Sequence, residues 1–301
     1  MLKRINLITL IFIIILQLSV LANNDKTGTT SLSFLKLKSG VRAISLGNTF
    51  ASIADDVNTI YWNPAGLAQL RSSEINWMNA NWLEGINYSS FTYNIPLVDG
   101  HSLGFGATFV YFGSIQETTA ASPQGTGNFI SSQASNVIFG YGWKASEDLS
   151  IGTNIKFASE NIDSSIQSAN IFDLGLIYEG LWESRIALVL ENNELGGDKA
   201  SNLPRTTTIG ISKKYDNLLI GIDLGYPNDS SNTTNIGIEY AFNSYLDLRC
   251  GYSSRNENNA GGNLSLGVGL NLGLKLWKFD FAYVPYDMLG NTYRFSIGHI
   301  L

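Results

Sequence analysis

Leu218-Leu219-Ile220-Gly221-Ile222-Asp223-Leu224-Gly225-Tyr226 alternates without a break, with Leu218, Ile220, Ile222, Leu224 and Tyr226 on one side and Leu219, Gly221, Asp223 and Gly225 on the other. A period of two marks an extended strand with one greasy face and one small or polar face. The pattern recurs along the chain. Ile236, Ile238, Tyr240 and Phe242 oppose Gly237, Glu239 and Ala241, and Leu264, Leu266, Val268, Leu270 and Leu272 oppose Ser265, Gly267, Gly269 and Asn271. Trp277, Phe279, Phe281 and Tyr283 likewise oppose Lys278, Asp280 and Ala282.

Such runs predict about fourteen strands, beginning near Glu74, Ile86, Ser102, Ser132, Leu149, Ala169, Arg185, Arg205, Leu218, Thr234, Leu246, Asn263, Leu274 and Thr292. Their connections alternate in length. Tight turns at Val98-Asp99-Gly100, Ser146-Glu147-Asp148, Tyr215-Asp216-Asn217 and Asn243-Ser244 alternate with longer polar loops over 118–131, 159–168, 193–204, 227–233, 253–262 and 285–291. That asymmetry is characteristic of outer-membrane barrels. Residues 73–301 shared among fourteen strands give roughly 16 each, enough for a spanning strand of about 9–11 residues with its share of loops.

Composition narrows the function classes. The 301 residues carry a net charge of −6 and only 15% charged side chains, against about 25% in an average globular chain. An acidic balance argues against nucleic acid, which requires a basic face to neutralise phosphates. The single Cys250 has no partner for a disulfide and no metal-site spacing.

The N-terminal part differs from the rest. Lys3 and Arg4 precede an apolar run from Ile5 to Val20, and Val20-Leu21-Ala22 has the character of a signal-peptidase site, so residues 1–22 read as a removed signal peptide. Residues 23–72 form a separate segment of small helices and turns, and residues 73–301 the transmembrane barrel.

Alternation alone does not say what the apolar face touches. In a secreted or periplasmic β-sandwich, it would be buried between two sheets. Here the opposite face is mostly Gly, Ser, Asn and Ala with scattered charges, which suits a crowded lumen better than a wet surface. Trp77, Trp82, Tyr88, Tyr111, Trp143, Tyr178, Trp182, Tyr240, Trp277 and Tyr283 near strand ends suit an aromatic girdle. The favoured fold is therefore all-β, a transmembrane antiparallel barrel in the outer membrane of a Gram-negative-type bacterium. Its lumen-facing charges are Asp173, Asp223, Glu239, Asp247, Arg249, Lys278, Asp280 and Arg294.

Gly40-Val41-Arg42-Ala43-Ile44-Ser45-Leu46-Gly47-Asn48-Thr49-Phe50, then Ala54-Asp55-Asp56 and Tyr61-Trp62-Asn63-Pro64-Ala65-Gly66-Leu67, form one motif. Phe281-Ala282-Tyr283-Val284-Pro285-Tyr286 with Leu289-Gly290-Asn291-Thr292-Tyr293-Arg294-Phe295-Ser296 forms a second, and Trp82-Leu83 and Phe172-Asp173-Leu174-Gly175 lie between them. On these residues the chain resembles the PorV/PorQ family, itself similar to FadL-type outer-membrane transporters. The resemblance implies fourteen strands with the N-terminal segment folded inside as a hatch. It also implies one of two roles: carriage of a hydrophobic small molecule, or a part in type IX secretion with machinery proteins as partners. Leu301 departs from the Phe or Trp that ends many such barrels.

No catalytic pattern surrounds any Ser, and His101 and His299 lie far apart, so the chain reads as not an enzyme, with no cofactor and outer-membrane lipid as its constant partner. Gly267-x-Gly269 alternates along a strand and reads as lumen packing. Asp55 and Asp56 diverge as neighbours, so they are assigned a helix-terminal or hatch-anchoring role and no metal. Arg42, a lone charge in an apolar segment, needs a lumen carboxylate. Asn63, Pro64 and Ala65 form a rigid turn at which Asn63 is a passage candidate.

Overall fold

A computed structural model describes residues 28–163, 165–196, 202–254, 263–274, 276–286 and 289–301. The signal segment 1–22 lies outside the described residues. The strands are β1 Glu74–Asn81, β2 Asn87–Pro96, β3 His101–Gln116, β4 Phe129–Lys144, β5 Leu149–Ile162, β6 Ser165–Leu181 and β7 Ser184–Glu194. They continue as β8 Thr206–Tyr215, β9 Leu218–Pro227, β10 Thr233–Ala241, β11 Leu246–Ser253, β12 Leu264–Leu272, β13 Trp277–Pro285 and β14 Asn291–Ile300. Each pairs antiparallel with its sequence neighbours, and β1 closes on β14 from Glu74↔Ile300 to Asn81↔Tyr293, giving a closed fourteen-stranded barrel. Closure leaves no unpaired edge.

Exposure settles which way the apolar face points. Leu266 is 53% exposed and Leu270 44%, while Ser265 between the strands' outer residues is 3% and Asp223 1% exposed. In a sandwich these leucines would be the core, so the sandwich alternative is overturned. The outward face is a continuous band of Leu, Ile and Phe. At the short-turn end it is rimmed by His101 stacked on Trp143 and by Trp277 stacked on His299 at 4.2 Å. Tyr88, at the opposite end of the barrel, was expected in an aromatic girdle; instead it turns inward, 3% exposed, and donates to the Leu37 carbonyl at 3.0 Å.

One expected loop is absent. Over 159–168 the chain continues as strand, with Ser159↔Ser168, Glu160↔Gln167 and Asn161↔Ile166 paired up to a tight turn at Asp163. This hairpin belongs to a wall formed by β3–β6 that rises above its neighbours. On β6, residues 165–168 are exposed on both faces, and on β5 Ser, Glu and Asn replace the apolar alternation without ending the strand. In β3 the register shifts between Tyr111 and Ser114 at Gly113, whose φ of +81° supplies the bulge.

Residues 28–72 occupy the lumen, from contacts with Asn202 and Asp229 at the long-loop end to Pro64–Ala68 against Gly142 and Gly152 at the short-turn end. Single turns at Ser33–Lys36, Val57–Tyr61 and Pro64–Gln69 and a five-residue helix, α1 Val41–Ser45, are joined by irregular chain. Asp56 starts the second turn by accepting from the Asn58 amide at 2.9 Å, and Asn63 starts the third by accepting from the Ala65 amide at 3.0 Å, with Pro64 in the first position. Most of the largest fully buried apolar side chains belong to this segment, among them Leu32, Val41, Leu46, Phe50, Ile53, Ile60 and Leu67. The wall meets them with glycine. A Cβ at Gly152 would strike Pro64, and one at Gly251 or Gly267 would strike the Leu46–Gly47 backbone or Ser45. The inward glycines thus let the hatch backbone lie against the strands.

Candidate functional site

Two polar regions flank the hatch. The first lies toward the short-turn end on the β10–β14 side. Arg42 of α1 reaches Glu239 of β10 with Nε at 2.7 Å and Nη2 at 2.8 Å, and its Nη1 reaches Asp55 at 2.5 Å and Asp56 at 3.2 Å. Glu239 also accepts from Arg249 Nε at 2.7 Å, and Arg249 Nη1 meets Asp280 at 2.5 Å, with Asp247 at 3.6 Å from its Nη2. Burial works against the Arg42 charge, but Asp55, Glu239 and Asp56 more than offset it and hold its pKa above the usual arginine value. Lys278 pairs separately with Glu74 at 3.0 Å. Arg42 thus links the N-terminal segment to β10 through Glu239 and to its own Asp55 and Asp56.

Asn63 is buried and points away from open space. Its amide donates to the Ala51 carbonyl at 2.7 Å and the Leu176 carbonyl at 3.3 Å, joining two parts of the hatch to β6. Pro64 and Ala65 pack under β5. Asp173 sits where the β6–β7 register shifts. It accepts from Lys156 at 2.6 Å, Asn154 at 2.9 Å and the Asn192 amide at 2.9 Å, in a buried brace of the wall.

The second region is a cavity of about 160 Å³ between the hatch and the β7–β14 wall, toward the long-loop end. Its hatch side is the strap made by the end of the Ser33–Lys36 turn and the following Leu37 and Lys38, together with Trp62. Its wall side includes Glu191, Asp223, Asn235, Val284 and Arg294, and Trp82 and Tyr286 project from the connections above. The strap is held by ions: Lys36 meets Asp229 at 2.5 Å and Lys38 meets Glu191 at 2.7 Å. Thr30 also donates to Asp229 at 2.6 Å. Asp223 accepts from the Phe50 and Ala51 amides at 2.8 Å each and so fixes the hatch turn beneath the cavity. Arg294 lies over the Trp82 ring, Cζ 4.5 Å from its centroid.

Of the lumen charges read from sequence, Glu239, Arg249, Asp247 and Asp280 converge with Arg42, whereas Asp223 and Arg294 belong to the cavity. Lys38, Glu191, Asp229 and Trp82 complete the cavity without having been assigned to it. Glu191 had a signal, since it lies in phase with the inward Ala187 and Val189. Lys38 and Asp229 occupy irregular chain, where no period reveals direction.

The sequence model of Uncharacterised protein family UPF0164 matches residues 17–170. No curated protein sequence matches the chain. The fold is similar to the toluene transporter TbuX of Ralstonia pickettii, with TM-score 0.59 and 15% identity over 88% of this chain and 98% of that one. It is also similar to the toluene transporter TodX of Pseudomonas putida, with TM-score 0.60 and 12% identity over 87% and 96%. A FadL homologue of Pseudomonas aeruginosa aligns with TM-score 0.59 and 11% identity over 87% and 98%. At these identities the likeness is one of fold.

Proposed function

Because the chain belongs to Uncharacterised protein family UPF0164, whose name states no activity, we propose its function from this geometry: an outer-membrane barrel that admits small molecules with apolar bodies through a hatch-gated lumen. The observation that carries the reading is the cavity between hatch and wall inside a closed barrel with an apolar outer belt. The toluene transporters that share the fold support it. In this reading residues 1–22 are the removed signal, 23–72 the hatch and 73–301 the barrel, with long loops outside the cell and short turns in the periplasm.

A molecule enters beside the strap at the long-loop end and rests between hatch and wall. Passage onward requires the hatch to move. The Arg42–Glu239 contact and the strap's ion pairs are the links that can exchange with water, so they are the points at which it lets go. The test uses a Gram-negative host lacking its own FadL-type channel. Expression should place the protein in the outer-membrane fraction, with SDS-gel mobility that changes on boiling, and should raise uptake of labelled toluene. A correctly inserted barrel that leaves uptake unchanged overturns the proposal.

A second reading, presentation of exported proteins at the surface, is favoured by one observation beyond the PorV/PorQ likeness. The raised β3–β6 wall exposes Ile115 and Phe129, at 71% and 64%, above the rest of the rim. Loss of a captured protein on trimming that wall would support it.

A further inference from the structure

We propose that the Arg294 end of the cavity is a binding subsite for a small organic anion, an aromatic carboxylate of about one ring. The inference rests on the uptake reading and narrows its cargo. Of the three cations that line the cavity, two have a carboxylate partner and one is left over. Lys36 is met by Asp229, Lys38 by Glu191, and Asp223 by two backbone amides. Arg294, on β14, is 6% exposed, and among the described residues no carboxylate lies within ion-pair distance of it.

What surrounds Arg294 is aromatic. Its guanidinium lies over Trp82, and Tyr286 stands edge-on to Trp82 with ring centroids 5.4 Å apart. The Tyr286 and Tyr88 hydroxyls are its polar neighbours. A desolvated cation is costly without an anion, and a ring face recovers only part of that cost. The guanidinium fork matches a carboxylate with two parallel hydrogen bonds, which a neutral hydrocarbon cannot accept. Trp82 and Tyr286 offer edges and faces to a ring attached to that carboxylate.

Size sets the rest of the ligand. The cavity holds about 160 Å³, and a void of about 150 Å³ accommodates one benzene. A long alkyl chain does not fit. The strap beside the cavity is polar at Lys36 and Lys38 and apolar at Leu35 and Leu37, so a ring has an apolar wall to lie on, and Asp223, whose Oδ1 has no partner, is the lining carboxyl without a cation.

The test is calorimetric titration of the full-length barrel in detergent micelles with benzoate, toluene, inorganic phosphate and palmitate as separate probes. Benzoate should bind saturably and at least ~10-fold more tightly than the other three. Arg294→Gln should weaken it by ~10-fold or more, with Arg294→Lys in between. Toluene, phosphate or palmitate binding as tightly as benzoate overturns the proposal, as does benzoate binding that ignores Arg294→Gln. If that variant fails the boiling-shift test of folding, Trp82→Phe carries the question, and unchanged benzoate affinity there also overturns it. The two proposals fail separately: toluene uptake without benzoate binding removes the subsite alone, and benzoate binding without uptake removes the transport reading alone.

Discussion

Arg42 illustrates what can be read from one residue. A guanidinium in apolar, glycine-rich chain must find carboxylates, and alternation shows which strands turn acids inward, so the need for inward carboxylate partners was legible. The identity of those partners was not, because pattern gives a face and not the residue that sits opposite in space. Arg42→Gln should release the hatch by about 2–3 kcal/mol, a figure kept below that of a fully buried pair because Asp55 is 42% exposed. Hatch protease sensitivity in the intact barrel should rise while the boiling shift persists; unchanged sensitivity would remove Arg42 from the anchor. At Asp229, burial raises the carboxyl pKa, but Lys36 and Thr30 lower it further, so the net shift is downward from 3.8. A depressed folded pKa means that the strap's stabilisation is complete above the ordinary carboxylate value and is lost as pH falls through the lower folded one. Exchange at the Ser31 amide, which donates to the Asn202 carbonyl at 2.9 Å, should therefore be slow at about pH 5 and accelerate only below about pH 4. Asp229→Asn should make that exchange fast throughout, and an acid response that survives the substitution would locate the trigger elsewhere.

At the scale of elements, strands crossing the apolar belt were the easiest to read. Leu218 and Leu246 begin β9 and β11 where the alternation begins, because lipid-side and lumen-side positions have opposite requirements at every step. The raised wall was misread for the converse reason. Ser159-Glu160-Asn161 carries polar side chains on both faces and shows no apolar alternation, yet its ladder to Gln167 and Ser168 is complete. The loop between β3 and β4 is held by Glu117, whose pKa is lowered by hydrogen bonds from Thr126 at 2.6 Å and Asn128 at 3.0 Å. Below it, Ser114↔Ser131, Ile115↔Ile130 and Gln116↔Phe129 already close the hairpin. Replacing Thr118 to Asn128 with a short turn should change stability by no more than ~1 kcal/mol and leave toluene uptake at the level of the intact chain. A barrel that folds but loses uptake would assign transport to the loop, while loss of a captured protein with uptake intact would favour presentation.

The whole molecule is inverted relative to a globular protein: its largest apolar side chains are divided between a buried hatch and an exposed belt, with charges and glycines between them. Water on the belt would leave Leu, Ile and Phe unpaid for their hydration over the entire outer surface, whereas lipid makes the same face favourable. Val268 lies midway along β12, 36% exposed, with Leu248 and Phe281 beside it on the neighbouring strands. Arginine there must place its charge near the centre of the hydrocarbon, at a cost of about 2–4 kcal/mol. The same residue in water would cost no more than about 0.5 kcal/mol, as Ser244→Arg in the exposed β10–β11 turn should. Urea unfolding in lipid vesicles should therefore separate Val268→Arg from Ser244→Arg by well over 1 kcal/mol. Equal midpoints for the two would mean that water wets the belt, and then neither the cavity nor the hatch would have a membrane to serve.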